Sequence, residues 1–228
     1  GLTPPSKSTV KNILKEHKID PGPKRGPESW NEFLKRHAES LWQCDFFSKK
    51  VWTKLGRQHC FAMVFLHLGS RKVYVTKCTL KPTPVWIKQQ TENFVDHLKT
   101  TGQKATIVQR DRAMNYKPHF NEVLQAAGIK PKLASPRSPN LQAYVERWIQ
   151  SIKREVLERF IIFGEKHFDY LVSEYVEHYH TERPHQSKGN LPLTGEWPEP
   201  EDGKPPDGEI VCRERLGGLL RSYERRAA

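Results

Sequence analysis

The sequence predicts an α/β fold in which helices cover a five-stranded mixed sheet. Two kinds of segment carry this prediction: short runs rich in aromatic and β-branched residues, and longer segments with the spacing of amphipathic helices. Between them lie Gly- and Pro-containing turns. Along residues 41–135 these segments follow the order β-β-β-α-β-α-β. Strands that alternate with helices form parallel pairs, and three strands in succession form antiparallel ones, so a mixed sheet is expected.

The predicted elements follow one another closely in this region. A helix is expected at 83–101, because Val85, Ile87, Phe94 and Leu98 recur at helical spacing and Gly102 ends the segment. The remaining elements are strands at 41–52, 59–68, 72–80, 104–111 and 130–135 and a helix at 121–128.

A long helix is predicted over 138–160, with Ser138 as its N-cap and Pro139 at its first helical position. Its apolar stripe consists of Val145, Trp148, Ile149, Ile152 and Val156. Trp148 belongs to this stripe, so we interpret it as a core residue and not as a DNA-stacking one. A further helix is expected around 167–184, where His178 and His180 point in different directions and make a poor metal pair.

Composition narrows the classes of function. The chain of 228 residues carries 38 Lys and Arg against 26 Asp and Glu, a net charge of +12. A folded protein with this charge is expected to bind a polyanion, and nucleic acid is the best candidate. The four cysteines form no C-x-x-C pair, so we expect buried thiols, a reducing compartment and no structural zinc. No apolar run is long enough for a membrane span, and the first residues lack the apolar core of a signal peptide, so an intracellular protein is expected.

An aspartate stands within the apolar strand WQCDFF, residues 42–47. Burying an unpaired carboxylate costs several kcal/mol, so Asp45 lies either at a bend or solvated edge, or in a site with partners. Two other acids could join it. Asp111 ends the strand KATIVQRD, and Glu146 lies on a different face of the long helix from the apolar stripe.

Three segments resemble the motifs of the D,D,E integrases and transposases, a family that includes retroviral integrases and many bacterial insertion-sequence transposases. They are WQCDFF, IVQRDRAMNY and ASPRSPNLQAYVERWIQSIKRE. The resemblance extends to YHTERPHQS, which is similar to the Y-N-x-x-R-P-H segment that closes the domain in insertion-sequence transposases, and it includes His185. Two departures are a missing Gly or Ser after Asp111 and 34 residues between Asp111 and Glu146, where many members have 35.

The resemblance implies a ribonuclease H-like fold and a polynucleotidyl transferase that cleaves DNA 3′ ends and joins them to target DNA. It assigns Asp45, Asp111 and Glu146 as catalytic residues and ligands of two Mg²⁺ or Mn²⁺ ions, for which carboxylate oxygens are suitable ligands. It also implies double-stranded DNA partners, namely element ends and target, and a homo-oligomer on DNA in the bacterial cytoplasm, associated with the nucleoid. Two alternatives remain: a metal-dependent nuclease of the same fold, and a catalytically silent DNA-binding remnant.

Basic residues near the acids are candidates for phosphate binding, with a solvated helix face as the alternative. They are Arg112, Arg137, Arg147, Lys153 and Arg154.

Residues 1–20 contain a short basic amphipathic helix, with Ser6 or Ser8 as its N-cap, that is similar to the recognition helix of a helix-turn-helix. Lys11, Asn12 and Lys15 on its polar side are candidate DNA contacts, and a simple capping helix is the alternative. The predicted organisation is a partial DNA-binding segment at 1–20, a linker at 21–37, the catalytic core at 38–190 and an extended tail with a basic end at 191–228.

Overall fold

The computed structural model describes residues 5–17, 36–111, 117–134, 142–194 and 208–225. The chain divides into two compact units, residues 1–37 and 38–228. In the first unit, helix α1 spans Lys7–Glu16. Ser6 is its N-cap, because the Ser6 hydroxyl accepts a hydrogen bond from the backbone N–H of Thr9. Of the two predicted candidates, the cap is therefore Ser6.

The second unit contains a five-stranded mixed sheet in the order β3-β2-β1-β4-β5. Strand β1 pairs antiparallel with β2 and parallel with β4, while β2–β3 is antiparallel and β4–β5 is parallel. The predicted mixed sheet is thus confirmed. Its strands are β1 (Leu41–Thr53), β2 (Gly56–His67), β3 (Val73–Val75), β4 (Ile107–Arg110) and β5 (Lys130–Leu133).

Strand β3 is much shorter than the predicted 72–80. At Thr76 the regular pairing of β3 with β2 is interrupted. The side-chain hydroxyl of Thr76 accepts a hydrogen bond from the backbone N–H of Met63 at 3.0 Å. The Thr76 N–H still donates to the carbonyl of Met63. A hydroxyl therefore takes the place of a backbone carbonyl, and the regular strand ends there.

Helices cover both faces of the sheet. They are α2 (Pro84–Thr101), α3 (Lys117–Ala126), α4 (Ala143–Ile152), a π-helical segment (Lys153–Leu157) and α5 (Gly164–Thr181). The Thr83 hydroxyl caps the start of α2, and Gly102 ends the helix in the left-handed region at φ 67°, as predicted. Val85, expected on the apolar face of α2, is exposed. Ser138 and Pro139 lie outside the described residues, and the described part of the long helix begins at Ala143.

Two hydrophobic cores lie on opposite faces of the sheet, because side chains alternate along β1. Trp42 and Cys44 pack with residues of α2 and α3. Phe47 and Val51 pack with residues of α4, the π-helical segment and α5. Trp148 is a core residue, as predicted, and its ring lies edge-on to Phe47 with the centroids 5.8 Å apart.

Residues 210–225, in the basic end of the predicted tail, form a hairpin of β6 (Ile210–Arg215) and β7 (Leu220–Arg225). Leu220 is buried in the core beside α5, and the Arg215 guanidinium pairs with Glu174 of that helix and with Glu182, its C-cap. Cys212, expected to be buried, is exposed on this hairpin, whereas the other three cysteines are buried and all four are free thiols.

Within the described ranges, no helix combines the length and the apolar character needed to span a membrane.

Candidate active site

Asp45 lies in β1 on the face that α4 covers. Gln43 and Phe47, two positions away on either side, both contact α4, so the alternation of the strand directs Asp45 toward the same helix. The carboxylate is partly buried, and its Oδ1 accepts a hydrogen bond from the Phe46 N–H at 2.7 Å. Asp45 is therefore not at a bend, because β1 continues to Thr53. It lies just beyond Cys44, the last residue of β1 that pairs with β4, so at Asp45 the strand pairs with β2 alone in the described structure.

Asp111 directly follows β4, the parallel neighbour of β1. The last residues that pair between these two strands are Cys44 and Arg110. Asp45 and Asp111 directly follow them, so the two aspartates lie side by side at this end of the pairing. Neighbouring strands lie about 4.8 Å apart. The buried Arg110 side chain holds this end of β4: Nη1 donates to the carbonyl of Asp111 at 3.2 Å, and Nη2 donates to Oδ1 of Asn121 on α3 at 3.3 Å.

Glu146 belongs to the first turn of α4 and is exposed. The start of this helix is tied to β1, because the buried Gln43 Oε1 accepts the N–H of Val145 at 3.1 Å. A side chain two residues before Asp45 thus holds the residue immediately before Glu146. The first turn of a helix also favours negative charge, because its free N–H groups carry partial positive charge.

Electrostatics place the three acids near one another. The pKa of Asp45 is raised from 3.8 to about 6, and burial is the largest cause. The hydrogen bond from Phe46 opposes this shift, whereas the charges of Asp111 and Glu146 raise the pKa further. Burial also raises the pKa of the Cys44 thiol, and the charges of Asp45 and Asp111 add to that effect. Carboxylates from β1, the end of β4 and α4 therefore share one electrostatic environment.

The donor chemistry of this cluster suits a divalent cation, because hard carboxylate oxygens are the ligands that Mg²⁺ and Mn²⁺ bind. Burial and the charges of Asp111 and Glu146 raise the pKa of Asp45, so a cation bound beside it would favour its ionised form. In the described parts of the chain, however, no three His, Cys, Asp or Glu side chains converge closely enough to hold an ion.

The predicted basic residues do not form one group around the acids. Lys153 lies about two α-helical turns after Glu146 on the same side of the helix, and its charge lowers the pKa of Asp45. Arg147 is turned by about 100° from Glu146 and lines a separate cavity. Arg154 is exposed, and its carbonyl accepts a hydrogen bond from the Arg159 side chain.

The other predicted DNA contacts lie elsewhere. Lys11, Asn12 and Lys15 are exposed on α1 in the first unit. Arg112 and Arg137 lie outside the described residues.

The buried amides beside the acids were not among the site residues predicted from the sequence. Gln43 and Gln109 lie opposite each other on β1 and β4, on the face shared with Asp45. Both side-chain polar atoms of Gln109 and of Gln142, which precedes α4, have no hydrogen-bond partner within the described protein. The available signal was a glutamine inside each of two otherwise apolar strands, a position where burying an amide has a cost.

Comparison with known proteins identifies a similar family. Residues 127–192 match the model of the integrase core domain family. This segment of the chain is therefore similar to an integrase core domain. The matched segment contains Glu146 and the region of α5, and the resemblance to D,D,E integrases and transposases is confirmed. Asp45 and Asp111 precede this segment.

The fold of this chain is similar to that of solved integrases. A chain of the simian T-cell lymphotropic virus intasome in complex with PP2A regulatory subunit B56 gamma matches with a TM-score of 0.55 and 16% identity, over 82% of this chain and 66% of that chain. The HTLV-2 integrase catalytic core domain in complex with magnesium, in its trimeric form, matches with a TM-score of 0.50 and 17% identity, over 67% of this chain and 93% of that chain. The predicted ribonuclease H-like fold is confirmed.

His185, which the family resemblance included without a derived role, closes the integrase core domain structurally. The ring Nε2 of His185 lies 2.8 Å from the backbone carbonyl oxygen of Tyr179. The backbone N–H of His185 donates a hydrogen bond to the carbonyl of Leu191. The ring is buried and packs edge-on against Tyr179. His185 therefore joins the end of α5 to the segment that follows it. His178 is likewise a buried packing residue, bonded to Glu182 at 2.8 Å.

Proposed function

We propose that this protein is a DNA integrase or transposase that cleaves DNA 3′ ends and transfers them to target DNA. The supporting observations are that the charges of Asp111 and Glu146 raise the pKa of Asp45, although the three acids come from separate elements, and that residues 127–192 match the integrase core domain family. Nuclease and transferase chemistry on phosphodiesters uses such carboxylates as ligands of two divalent cations. One of the similar folds, the HTLV-2 core, is described in complex with magnesium.

Asp45, Asp111 and Glu146 would hold the metal, which supplies charge neutralisation and polarisation of the phosphodiester oxygens when it is bound. The protein's own residues position these carboxylates. Gln43 holds the start of α4 against β1, and Arg110 holds the chain at the end of β4. Lys153 adds a positive charge beside Asp45 where a negatively charged phosphate would approach. Water and then the freed 3′-hydroxyl serve as nucleophiles, so no covalent protein–DNA intermediate is required.

Double-stranded DNA is the proposed partner, and the net charge of +12 favours it. Lys153 and Arg154 are the proposed phosphate contacts nearest the acids, and Lys11, Asn12 and Lys15 on α1 are proposed contacts of the first unit. We also propose that the protein acts as a homo-oligomer on DNA, because the HTLV-2 core is described in a trimeric form.

A strand-transfer assay tests this function. A labelled duplex that carries the inverted repeats flanking the gene is incubated with a plasmid, protein and Mg²⁺ or Mn²⁺. Asp45→Asn, Asp111→Asn and Glu146→Gln should each abolish end cleavage and joining while DNA binding persists, because they keep size and remove a ligand charge. Glu92→Gln, on the outer face of α2, is the matched control and should remain active.

The products separate the alternatives. Joined molecules support the proposal, whereas nicks without joining would assign the protein as a nuclease. DNA binding without either product would indicate a silent remnant. An active Glu146→Gln variant would refute the assignment of the carboxylates.

A further inference from the structure

A polar cavity lies on the other side of α4 from Asp45, Asp111 and Glu146. It has a volume of about 420 Å³ and is bordered by α4, α5, the β2–β3 turn and the segment after α5. This volume lies within the range of about 300–1,000 Å³ found for small-molecule sites. The lining residues that matter chemically are Arg71, Tyr144, Arg147, Trp148, Tyr179 and Arg183.

Helix geometry separates this cavity from the carboxylates. Tyr144, Arg147 and Ser151 recur at intervals of three and four residues, so they share one side of α4 and line the cavity together. Glu146 lies on another side of the helix, and none of the three acids lines the cavity. A ligand here would not touch the proposed catalytic group.

Two hydrogen-bond donors of the cavity have no acceptor. Arg71 Nη1 and Trp148 Nε1 are buried and lack a hydrogen-bond partner in the described structure. Trp148 is only 2% exposed. A buried donor without an acceptor costs about 1–3 kcal/mol, and here two such donors border the same space. One bound group with several acceptor oxygens could satisfy both.

The Arg71 side chain is held in place for such a contact. Its guanidinium carbon lies 3.6 Å from the centroid of the Tyr144 ring, which is a close cation–π contact. The residue also has φ 64°, a left-handed conformation that is unfavourable for side chains other than Gly, Asn or Asp. Its N–H donates to the carbonyl of His67 at 2.9 Å, which stabilises the turn.

The charge of the lining favours a dianion. Three arginines and no acid are among the described residues that border the cavity. Arg183 is already paired with Glu155 through contacts of 2.7 and 3.3 Å. Arg71 and Arg147 make no ion pair with a described carboxylate, so two positive charges remain uncompensated. A phosphate monoester carries a charge of about −1.5 to −2 at neutral pH and presents three acceptor oxygens, whereas a carboxylate supplies a single charge.

We infer that this cavity binds a phosphate monoester, carried either by a free nucleotide or by the 5′ end of a DNA strand. The two arginines and the Trp148 indole would bind the phosphate. The site does not depend on the proposed catalytic function, because it shares no side chain with the acids.

The test follows the Trp148 indole N–H in the ¹⁵N-labelled full-length protein. Comparison with Trp148→Phe identifies its resonance, and inorganic phosphate, deoxyadenosine monophosphate and a DNA duplex with 5′-phosphates are titrated in turn. The resonance should shift progressively as the indole gains an acceptor. Arg71→Gln and Arg147→Gln should weaken binding about tenfold each, the effect of losing a charged hydrogen bond. Lys88→Gln, which removes an exposed charge from α2, should bind as the wild type does.

A second readout is the melting temperature, which bound phosphate should raise in the wild type and Lys88→Gln and raise less in the two arginine variants. If Trp148→Phe does not fold and the indole resonance cannot be assigned, the melting temperature serves as the measurement of binding. A response to the mononucleotide assigns a free nucleotide as ligand, and a response to the duplex alone assigns a DNA strand. No response to any of the three compounds, or equal responses in all variants, would overturn the inference. Asp45→Asn must still bind phosphate; loss of binding there would assign the phosphate to the carboxylates instead.

Discussion

Replacing Asp45 by Asn should stabilise the metal-free protein at neutral pH. The pKa of Asp45 rises from 3.8 to about 6 on folding, and about two units at 1.36 kcal/mol each correspond to about 3 kcal/mol. Because the folded state raises this pKa, the stabilising contribution of the protonated form is fully present below pH 3.8 and is lost as the pH rises through about 6. Asn keeps the size of the side chain and has no charge to bury. The variant should therefore gain up to about 3 kcal/mol above pH 6, and little below pH 4.

Urea unfolding in EDTA, at about pH 7.5 and about pH 4, measures this difference in the free energy of unfolding. Asp96→Asn is the control, because Asp96 is exposed on α2 and, among the described residues, its carboxylate forms an ion pair with the exposed Lys99. Its effect should stay within about 1 kcal/mol at both pH values. Added Mg²⁺ should stabilise the wild type and should do so less in Asp45→Asn, which has lost a ligand.

A structural carboxylate would behave in the opposite way. If Asp45→Asn were less stable than the wild type in EDTA at neutral pH, the interpretation of Asp45 as one of several repelling acids would be wrong. A gain of the same size at both pH values would also refute it, because the neutral carboxyl at low pH has no charge to relieve.

Three further outcomes are expected. Gln43→Ala should cost about 1–3 kcal/mol and speed hydrogen exchange at Val145, because that buried N–H loses its acceptor; unchanged exchange would contradict the role of Gln43 as a tether. Arg215→Ala should destabilise the protein and make residues 208–225 sensitive to proteases, because the pairs of Arg215 with Glu174 and Glu182 are lost. The control is Arg213→Ala, which removes an exposed pair with Glu224 and should change the free energy of unfolding by less than about 1 kcal/mol. Lys153→Gln should reduce the slope of log DNA affinity against log salt by about one, and an unchanged slope would exclude Lys153 as a phosphate contact.

The strand order and the positions of the three acids could be predicted because their signals are local. Alternation along 41–53 directs Asp45 to one face, and the helical spacing of the long helix directs Glu146 away from its apolar stripe. The separation of Arg147 from Glu146 could also have been predicted, because successive residues of an α-helix are rotated by about 100° about the helix axis. Closeness in sequence to the acids was a poor guide to closeness in space.

Other features depend on contacts between distant parts of the chain. The bond from Val145 to Gln43 joins residues 102 positions apart, and no periodic pattern encodes it. The 210–225 hairpin lacks apolar alternation because most of its residues are exposed. It is held to α5 chiefly by Arg215 and Leu220, whose partners are visible only in the folded molecule.

The π-helical segment Lys153–Leu157 affects how related sequences should be aligned. Within it the Glu158 N–H donates to the carbonyl of Lys153, five residues earlier, so this turn holds one residue more than an α-helical turn. Leu157 comes about three α-helical turns after Glu146, and a continuous α-helix would place it on the same exposed side. The wider turn brings Leu157 into the core instead. A related sequence with one residue fewer here could keep both its core and the position of the residue that corresponds to Glu146 by forming an ordinary α-helical turn, so a single-residue gap belongs within 153–157.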